Sequence, residues 1–490
     1  MMRLVDHPTP ARASVRWPAL ALSALLLSAC ATGAPPRTAV VELPAGYGPA
    51  QVSVAASPAT ATLDHWWVLY QDAQLTDLVN QAMAQGFGVR EAQARLVESR
   101  ALRSSALSGF GPKGNLTANA ATQDNQALDD RSASATAEGT RNTAGINLPM
   151  SWELDVFGRR SAATLSADAD LDTARLDVQA ARAAVAAEVA RGLFQARGLS
   201  VQSGDALETV RIQRTLLGVV QERAQRGLAP GSETDRVAAD LAQAQAQAEE
   251  LGAALAASRR ALLVVLGSGT AALDLAPVSP TLANAPEVPA AVPGDLLARR
   301  PDVRKAALRV QKSASTVRLA ELDFFPRLTL NPGLGVSAQR SSTDTTLGFW
   351  SLGLGLSLPV LDRPRLQAQL DAEGARAEQA VLAYERTVQT AFSEADQALT
   401  RLQADRRRVT TLEAGERRAR SAFDAAQRRY ELGFANLQEL LDGERAWRAT
   451  RSALTSARVD ALQRSVQTFQ ALGGGWSTAT LASNEERNTP

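Results

Sequence analysis

Between Ser161 and Ala229 the chain has no proline, and there is none between Gly231 and Ala276 or between Arg365 and Thr489. A proline inside a helix removes a hydrogen bond and clashes with the preceding turn, so these stretches can run as unbroken helices. Ser161–Arg226 alone has 66 residues, which at about 1.5 Å per residue spans on the order of 100 Å. A helix that long outreaches a globular domain and needs partners along its length. Ala377, Val381, Tyr384, Val388, Ala391, Ala395, Ala398 and Leu402 recur in alternating steps of four and three, the seam of a coiled coil. Its small residues let helices approach closely and pack as a sheet or tube, without fixing an oligomer number.

The chain also repeats itself. Gly88-Val89-Arg90-Glu91-Ala92 aligns with Asp302-Val303-Arg304-Lys305-Ala306, Phe110 with Phe324 and Pro112-Lys113 with Pro326-Arg327, all at an offset of 214. Later the offset becomes 206, where Ser151 meets Ser357, Arg159 meets Arg365 and Gly227 meets Gly433. The difference falls on the polar stretch Gln123 to Asn142, an expected surface loop. A sequence that matches itself builds its architecture twice. The first copy predicts a helix over Leu75–Gly109, strands around Leu116–Ala121 and Thr143–Leu154, a long helix over Ser161–Arg226 and a return helix over Ser232–Leu266. The second predicts Asp295–Phe324, strands Leu328–Gln339 and Leu347–Leu358, then Leu366–Leu432 and Asn436–Leu472. The expected domains are a first repeat at 63–276, a second at 277–475 and an unordered tail at 476–490.

The strand segments alternate: Leu352, Leu354, Leu356 and Leu358 are interleaved with Gly353, Gly355 and Ser357. In a soluble sheet the greasy face would be core; in a transmembrane barrel it would face lipid. No later run of 18 or more apolar residues offers a helical span. Four strands cannot close a barrel, since about eight are needed and lipid tolerates no open edge. Two chains would supply a bare minimum and three a wider, water-filled barrel.

Composition removes other classes. One cysteine and two histidines leave no disulfide framework, no metal site and little acid–base chemistry, so neither cofactor nor catalytic residue is expected. With 52 basic against 51 acidic side chains and 4% aromatics, nucleic-acid binding is a poor fit. The single cysteine follows Arg3, Arg12, Arg16 and the apolar run Ala19–Leu27, with Ser28 and Ala29 just before it. That order reads as an export signal over residues 1–29. Cys30 resembles the lipidated residue of bacterial lipoproteins, and the proline-rich residues 30–62 read as an extended tether.

The motifs Trp66-Trp67 with Asp72 and Leu75, Trp152-Glu153-Leu154-Asp155-Val156-Phe157-Gly158-Arg159, Arg299-Arg300-Pro301-Asp302-Val303, Phe325-Pro326-Arg327-Leu328 and Tyr430-Glu431-Leu432-Gly433 carry a further resemblance. In order and spacing the chain resembles the TolC-type outer-membrane factor family, in its lipoprotein branch serving resistance–nodulation–division efflux systems. The resemblance implies a mainly α fold with a β-barrel portion: a coiled-coil tunnel plus four transmembrane strands per chain, completed as a twelve-stranded barrel in a homotrimer. It implies a passive outer-membrane conduit for small molecules, with a periplasmic adaptor and a proton-driven inner-membrane pump as partners. It also implies that the turns Gly227-Leu228-Ala229 and Gly433-Phe434-Ala435-Asn436 form the adaptor-facing tip. Some family members close the gate with an acid two places beyond the second glycine. Ala435 stands there in this chain, which leaves Tyr430, Arg429 and Asp235 as gate candidates.

From the residues alone, Gly227 and Gly433 are helix C-terminal glycines, and Ser232 and Asn436 are N-caps of the return helices. Arg406-Arg407-Arg408 and Arg417-Arg418, interleaved with Glu413 and Glu416, read as a solvated, ion-paired face. Two alternatives remain at this point. One is a lipid-anchored periplasmic coiled-coil scaffold; the other is an exported hydrolase using Glu153 and Asp155, which lacks a nucleophile motif.

Overall fold

The computed structural model describes residues 63–125, 139–271, 293–340 and 344–475, with scattered positions between 41 and 47 and between 278 and 288. The signal segment with Cys30, most of the tether, most of the polar loop and the tail lie outside the described residues. After a short 3-10 helix at Trp66–Tyr70 come α1 (Ala73–Gln85), α2 (Phe87–Ser108), β1 (Lys113–Gly114), β2 (Thr117–Asn125) and β3 (Gly139–Leu154). Then follow α3 (Arg159–Gln225), α4 (Gly231–Val265), α5 (Pro293–Arg299), α6 (Pro301–Leu322), β4 (Arg327–Arg340), β5 (Thr345–Ser357), α7 (Arg363–Glu431) and α8 (Leu437–Ala471). The order helix, strands, long helix, return helix occurs twice. Contacts group into two units, residues 107–164 with 313–379, and the remainder.

The first unit holds the sheet. β1 and β2 keep one register against β3, so they act as a single strand interrupted at Asn115-Leu116. β3 pairs with β4 and β4 with β5, all antiparallel. Between β3 and β4 the ladder lapses opposite Asn331-Pro332, where Pro332 has no N–H to donate. Register places Ile146, Leu334 and Trp350 with Leu352, Leu354 and Leu356 on one face, and Asn147, Thr329, Asn331, Ser337 and Ser351 on the other. The apolar face is uncovered: Trp350 is 80% exposed and Leu356 72%. Trp152 is tethered at its end, donating from Nε1 to the Phe110 carbonyl at 3.0 Å. The Trp152–Arg159 motif serves the strand-to-helix corner. Gly158 takes φ +84°, and the Asp155 carboxylate accepts from the backbone N–H of Arg159 at 2.6 Å and Arg160 at 3.0 Å, satisfying two orphan donors at the start of α3.

The second unit is a set of packed helices. α3 is held on two sides by ion pairs: Asp168 with Arg103 of α2, and Asp170 with Lys312 (2.7 Å) and Asp177 with Lys305 (2.8 Å) of α6. The main core joins Trp66, Trp67 and Tyr70 to Leu193 and Phe194 of α3, Leu262 of α4 and Leu462, Val466 and Phe469 of α8. Trp66 stacks on Phe469 at 5.6 Å, and the Tyr70 and Ser465 hydroxyls share a hydrogen bond at 2.5 Å. Along the coiled-coil seam of α7, Val381, Val388, Ala391, Ala395 and Leu402 are buried and the other three positions are half-buried.

Two expectations change. The continuous helices predicted over Leu75–Gly109 and Asp295–Phe324 are each broken, at Gly86 and at Arg300, which are equivalent positions at the offset of 214. In the first copy α4 ends against the break; a Cβ on Gly86 would meet the Val265 carbonyl oxygen at 3.3 Å and that of Ala82 at 2.4 Å. In the second copy Pro301 opens a new helix and Arg300 donates to the Ala471 carbonyl at 2.9 Å, the position matching Val265. The second correction concerns the acids among the arginines of α7. Glu413 pairs with Arg458 at 2.8 Å and Glu416 accepts from Trp447 Nε1 at 2.9 Å, so both serve the α7–α8 seam.

Candidate functional site

The two turns between long and return helices are built alike. After α3, Gly227 has φ +74°; its N–H donates to Ala224 at 2.9 Å and that of Leu228 to Arg223 at 2.8 Å. After α7, Gly433 has φ +80°, with Gly433 donating to Tyr430 at 3.1 Å and Phe434 to Arg429 at 2.8 Å. Both are the paired-bond helix ending that glycine permits, because a side chain strains a left-handed residue. No atom lies within 4 Å of a Cβ built on either glycine. Each turn then presents an apolar side chain to solvent, Leu228 at 66% and Phe434 at 74% exposure. Ala229 and Ala435 are both half-buried.

The caps differ. Asn436 accepts from the Glu439 N–H at 2.8 Å and caps α8 as expected. Ser232 does not cap α4: the N-cap is Pro230, which has no side-chain acceptor, and the helix begins at Gly231. Pro230 is the equivalent of Asn436 at the offset of 206, so duplication preserves the position and not the chemistry.

The ends of the four helices meet in a second apolar cluster of Leu216, Val220, Val237, Phe423, Tyr430, Leu437, Leu440, Leu441 and Trp447. The gate candidates divide here. Tyr430 is buried and its ring lies under the Arg223 guanidinium at 5.3 Å, joining one turn to the other. Arg429 is ion-paired to Glu439 and donates to the Phe434 carbonyl at 3.3 Å, bracing the second turn. Asp235 is exposed on α4 and stands apart from both.

Two features above the turns escaped the motifs. Trp447 stacks on Phe423 at 5.2 Å, with the guanidiniums of Arg420 and Arg451 at 5.7 and 5.4 Å from its ring. Gln213 of α3 donates to Glu444 of α8 at 2.5 Å, both nearly fully buried. The available signal was spacing: Leu437, Leu440, Leu441, Glu444 and Trp447 form one helical stripe, and an acid on it is a buried acid. Beside it lies a cavity of about 610 Å³ lined by Leu216, Phe423, Tyr430, Glu444 and Trp447 among others. Among the described residues no cluster of potential metal ligands occurs and no helix is long and apolar enough to cross a membrane.

A sequence model of the outer membrane efflux protein family matches residues 78–268 and 292–474. The pyoverdine export outer membrane protein OpmQ of Pseudomonas putida is 28% identical over 459 residues, covering 92% of this chain and 96% of its own length. Outer membrane protein OprJ of Pseudomonas aeruginosa is 30% identical over 472 residues, covering 94% and 97%. The solved outer-membrane channel OprN superposes with a TM-score of 0.74 at 27% identity, covering 90% of this chain and 99% of that one. An uncovered apolar sheet face, paired long helices with matched turns and these alignments over nearly whole lengths agree: the chain belongs to the outer membrane efflux protein family and is an outer-membrane efflux channel protein.

Proposed function

We propose that three copies of this chain assemble into a passive conduit, with the four strand positions of each contributing to one twelve-stranded barrel. The observation that carries this reading is the sheet. It carries the apolar Trp350–Leu356 stripe on one uncovered face and mainly small and polar residues beside Leu347 and Phe349 on the other, and among the described residues its outer strands β2 and β5 each have a single partner. Such edges cannot lie open in lipid, and one chain has too few strands to close on itself. Cys30 would be the lipid attachment at the outer membrane, followed by the tether. The turns at Gly227–Ala229 and Gly433–Asn436 would meet a periplasmic adaptor, with Leu228 and Phe434 as apolar contacts. An inner-membrane pump would supply the energy. The exported compounds belong to small molecules, the class named for relatives such as the pyoverdine exporter.

Detergent-extracted protein should run as a trimer after cross-linking and give discrete conductance steps in planar bilayers. A monomer without conductance overturns the reading. The periplasmic scaffold alternative predicts that outcome, because it gives the uncovered face no lipid to meet.

A further inference from the structure

Glu444 differs from every other acid near it. Asp240 pairs with Arg445 at 2.9 Å, Asp205 with Arg451 at 2.5 Å, Glu413 with Arg458 at 2.8 Å, and Glu416 takes the Trp447 N–H at 2.9 Å. Glu444 is 2% exposed, and its one hydrogen-bond donor is the neutral amide of Gln213, itself 1% exposed. Its ion pair is a loose one, with Arg448 Nε 3.5 Å from Glu444 Oε1 and no hydrogen bond between them. Gln213 Oε1 also lacks a partner. A buried carboxylate with one amide donor is expensive, whereas a carboxylic acid facing an amide is a matched pair: its O–H donates to the amide oxygen and no charge remains.

We propose that Glu444 is a proton-operated latch between α3 and α8, closed when the carboxyl is protonated and bonded to Gln213, and loosened when the proton is lost. The proton leaves to water past the partly exposed Arg448 side chain, and the carboxylate left behind draws hydration into the seam. Glu444 lines the same cavity as Tyr430 and Gly433, so a loosened seam frees the turn at Gly433. The charged groups around it act in both directions. On α8, Arg448 and Arg445 favour the ionised form, and on α4, Asp240 disfavours it. On α3, Glu208 and Arg211 satisfy each other at 2.5 Å, and on α7, Arg420 lies against Trp447 while Asp424 lines the neighbouring cavity.

Burial raises the Glu444 carboxyl above its ordinary value, against the pull of Arg448 and with the push of Asp240. For an acid raised in the closed state, the seam is tightest below the ordinary glutamate value. It weakens as pH rises toward the raised value and then stays weak.

Hydrogen exchange on the full-length protein in detergent tests this without reference to conductance. Backbone amides of 209–220 and 437–451 are followed between about pH 5 and about pH 8, each rate divided by its intrinsic rate. Opening of these two segments should increase with pH, by as much as about tenfold for each unit by which the carboxyl is raised. Glu444→Gln should hold the low-pH level of opening across the range. Gln213→Leu, which removes the partner that holds the protonated carboxyl, should raise opening at low pH toward the level the wild type reaches at high pH. Equal opening of the wild type at both ends of the range, a pH response retained in Glu444→Gln, or low-pH opening in Gln213→Leu no greater than the wild type's each overturns the latch.

Discussion

Arg197 of α3 and Asp72, 125 positions apart, meet in a two-pronged ion pair whose second prong is 3.1 Å long. The same carboxylate accepts the Leu75 N–H at 3.1 Å and so caps α1. One acid therefore fixes both the start of a helix and its seat against α3.

The pair predicts an acid-sensitive core. Burial alone would raise the Asp72 carboxyl, but hydrogen bonds from Arg197 and the Leu75 N–H outweigh it and hold the group below its ordinary value. A depressed acid contributes stability that is present above the ordinary aspartate range and lost as pH falls through the depressed value. Asp72→Asn should lower the thermal midpoint at neutral pH and flatten its fall in acid. An acid limb as steep as the wild type's would contradict the assignment. Removing the charge leaves Arg197, itself 5% exposed, short of its anion, so a loss of about 1–3 kcal/mol is expected.

At the turns the prediction separates backbone strain from packing. Gly227 and Gly433 have open space where a Cβ would go, so an alanine meets no atom and suffers only the left-handed conformation, about 1–2 kcal/mol. Asparagine tolerates that region better. Gly433→Ala should raise hydrogen exchange in the last turn of α7, with Gly433→Asn intermediate between it and wild type. Identical exchange in all three would remove the conformational argument. Under the proposed adaptor role, Leu228→Asp and Phe434→Asp should impair export while trimers still form.

The cap at Asn436 shows what the sequence could and could not disclose. Duplication and absence of proline made the long helices, strands and turns legible, because both signals report backbone periodicity. Cap chemistry was legible only where the side chain performs it: Asn436 does, whereas Ser232 resembled a cap and sits inside a helix started by Pro230. The breaks at Gly86 and Arg300 were hidden because their cause is tertiary. The end of a distant helix occupies the space at Gly86, and a guanidinium reaches the equivalent end at Arg300. Glu444 was hidden for the same reason, since its burial depends on α3. Asn436→Ala should cost about 1 kcal/mol and Ser232→Ala close to nothing, measured as thermal midpoints; equal losses would mean that both residues act as caps.

The sheet allows a test of sidedness within one strand. Leu354 and Ser351 are both exposed on β5, yet register puts Leu354 with Leu330 on the apolar face and Ser351 with Gly333 on the polar one. If solvent bathed both faces, a lysine at either position would be tolerated alike. If the apolar face meets lipid, a lysine at Leu354 must carry its charge into hydrocarbon, at about 2–4 kcal/mol per chain near the membrane midplane, and assembly of three chains multiplies that penalty. A lysine at Ser351 faces water. Leu354→Lys should therefore reduce the amount of protein recovered in the outer membrane and Ser351→Lys should not, read by membrane fractionation and by heat-modifiable mobility of the assembled form. The reverse order would place the lipid on the opposite face, and equal recovery would remove the membrane from the account of this sheet.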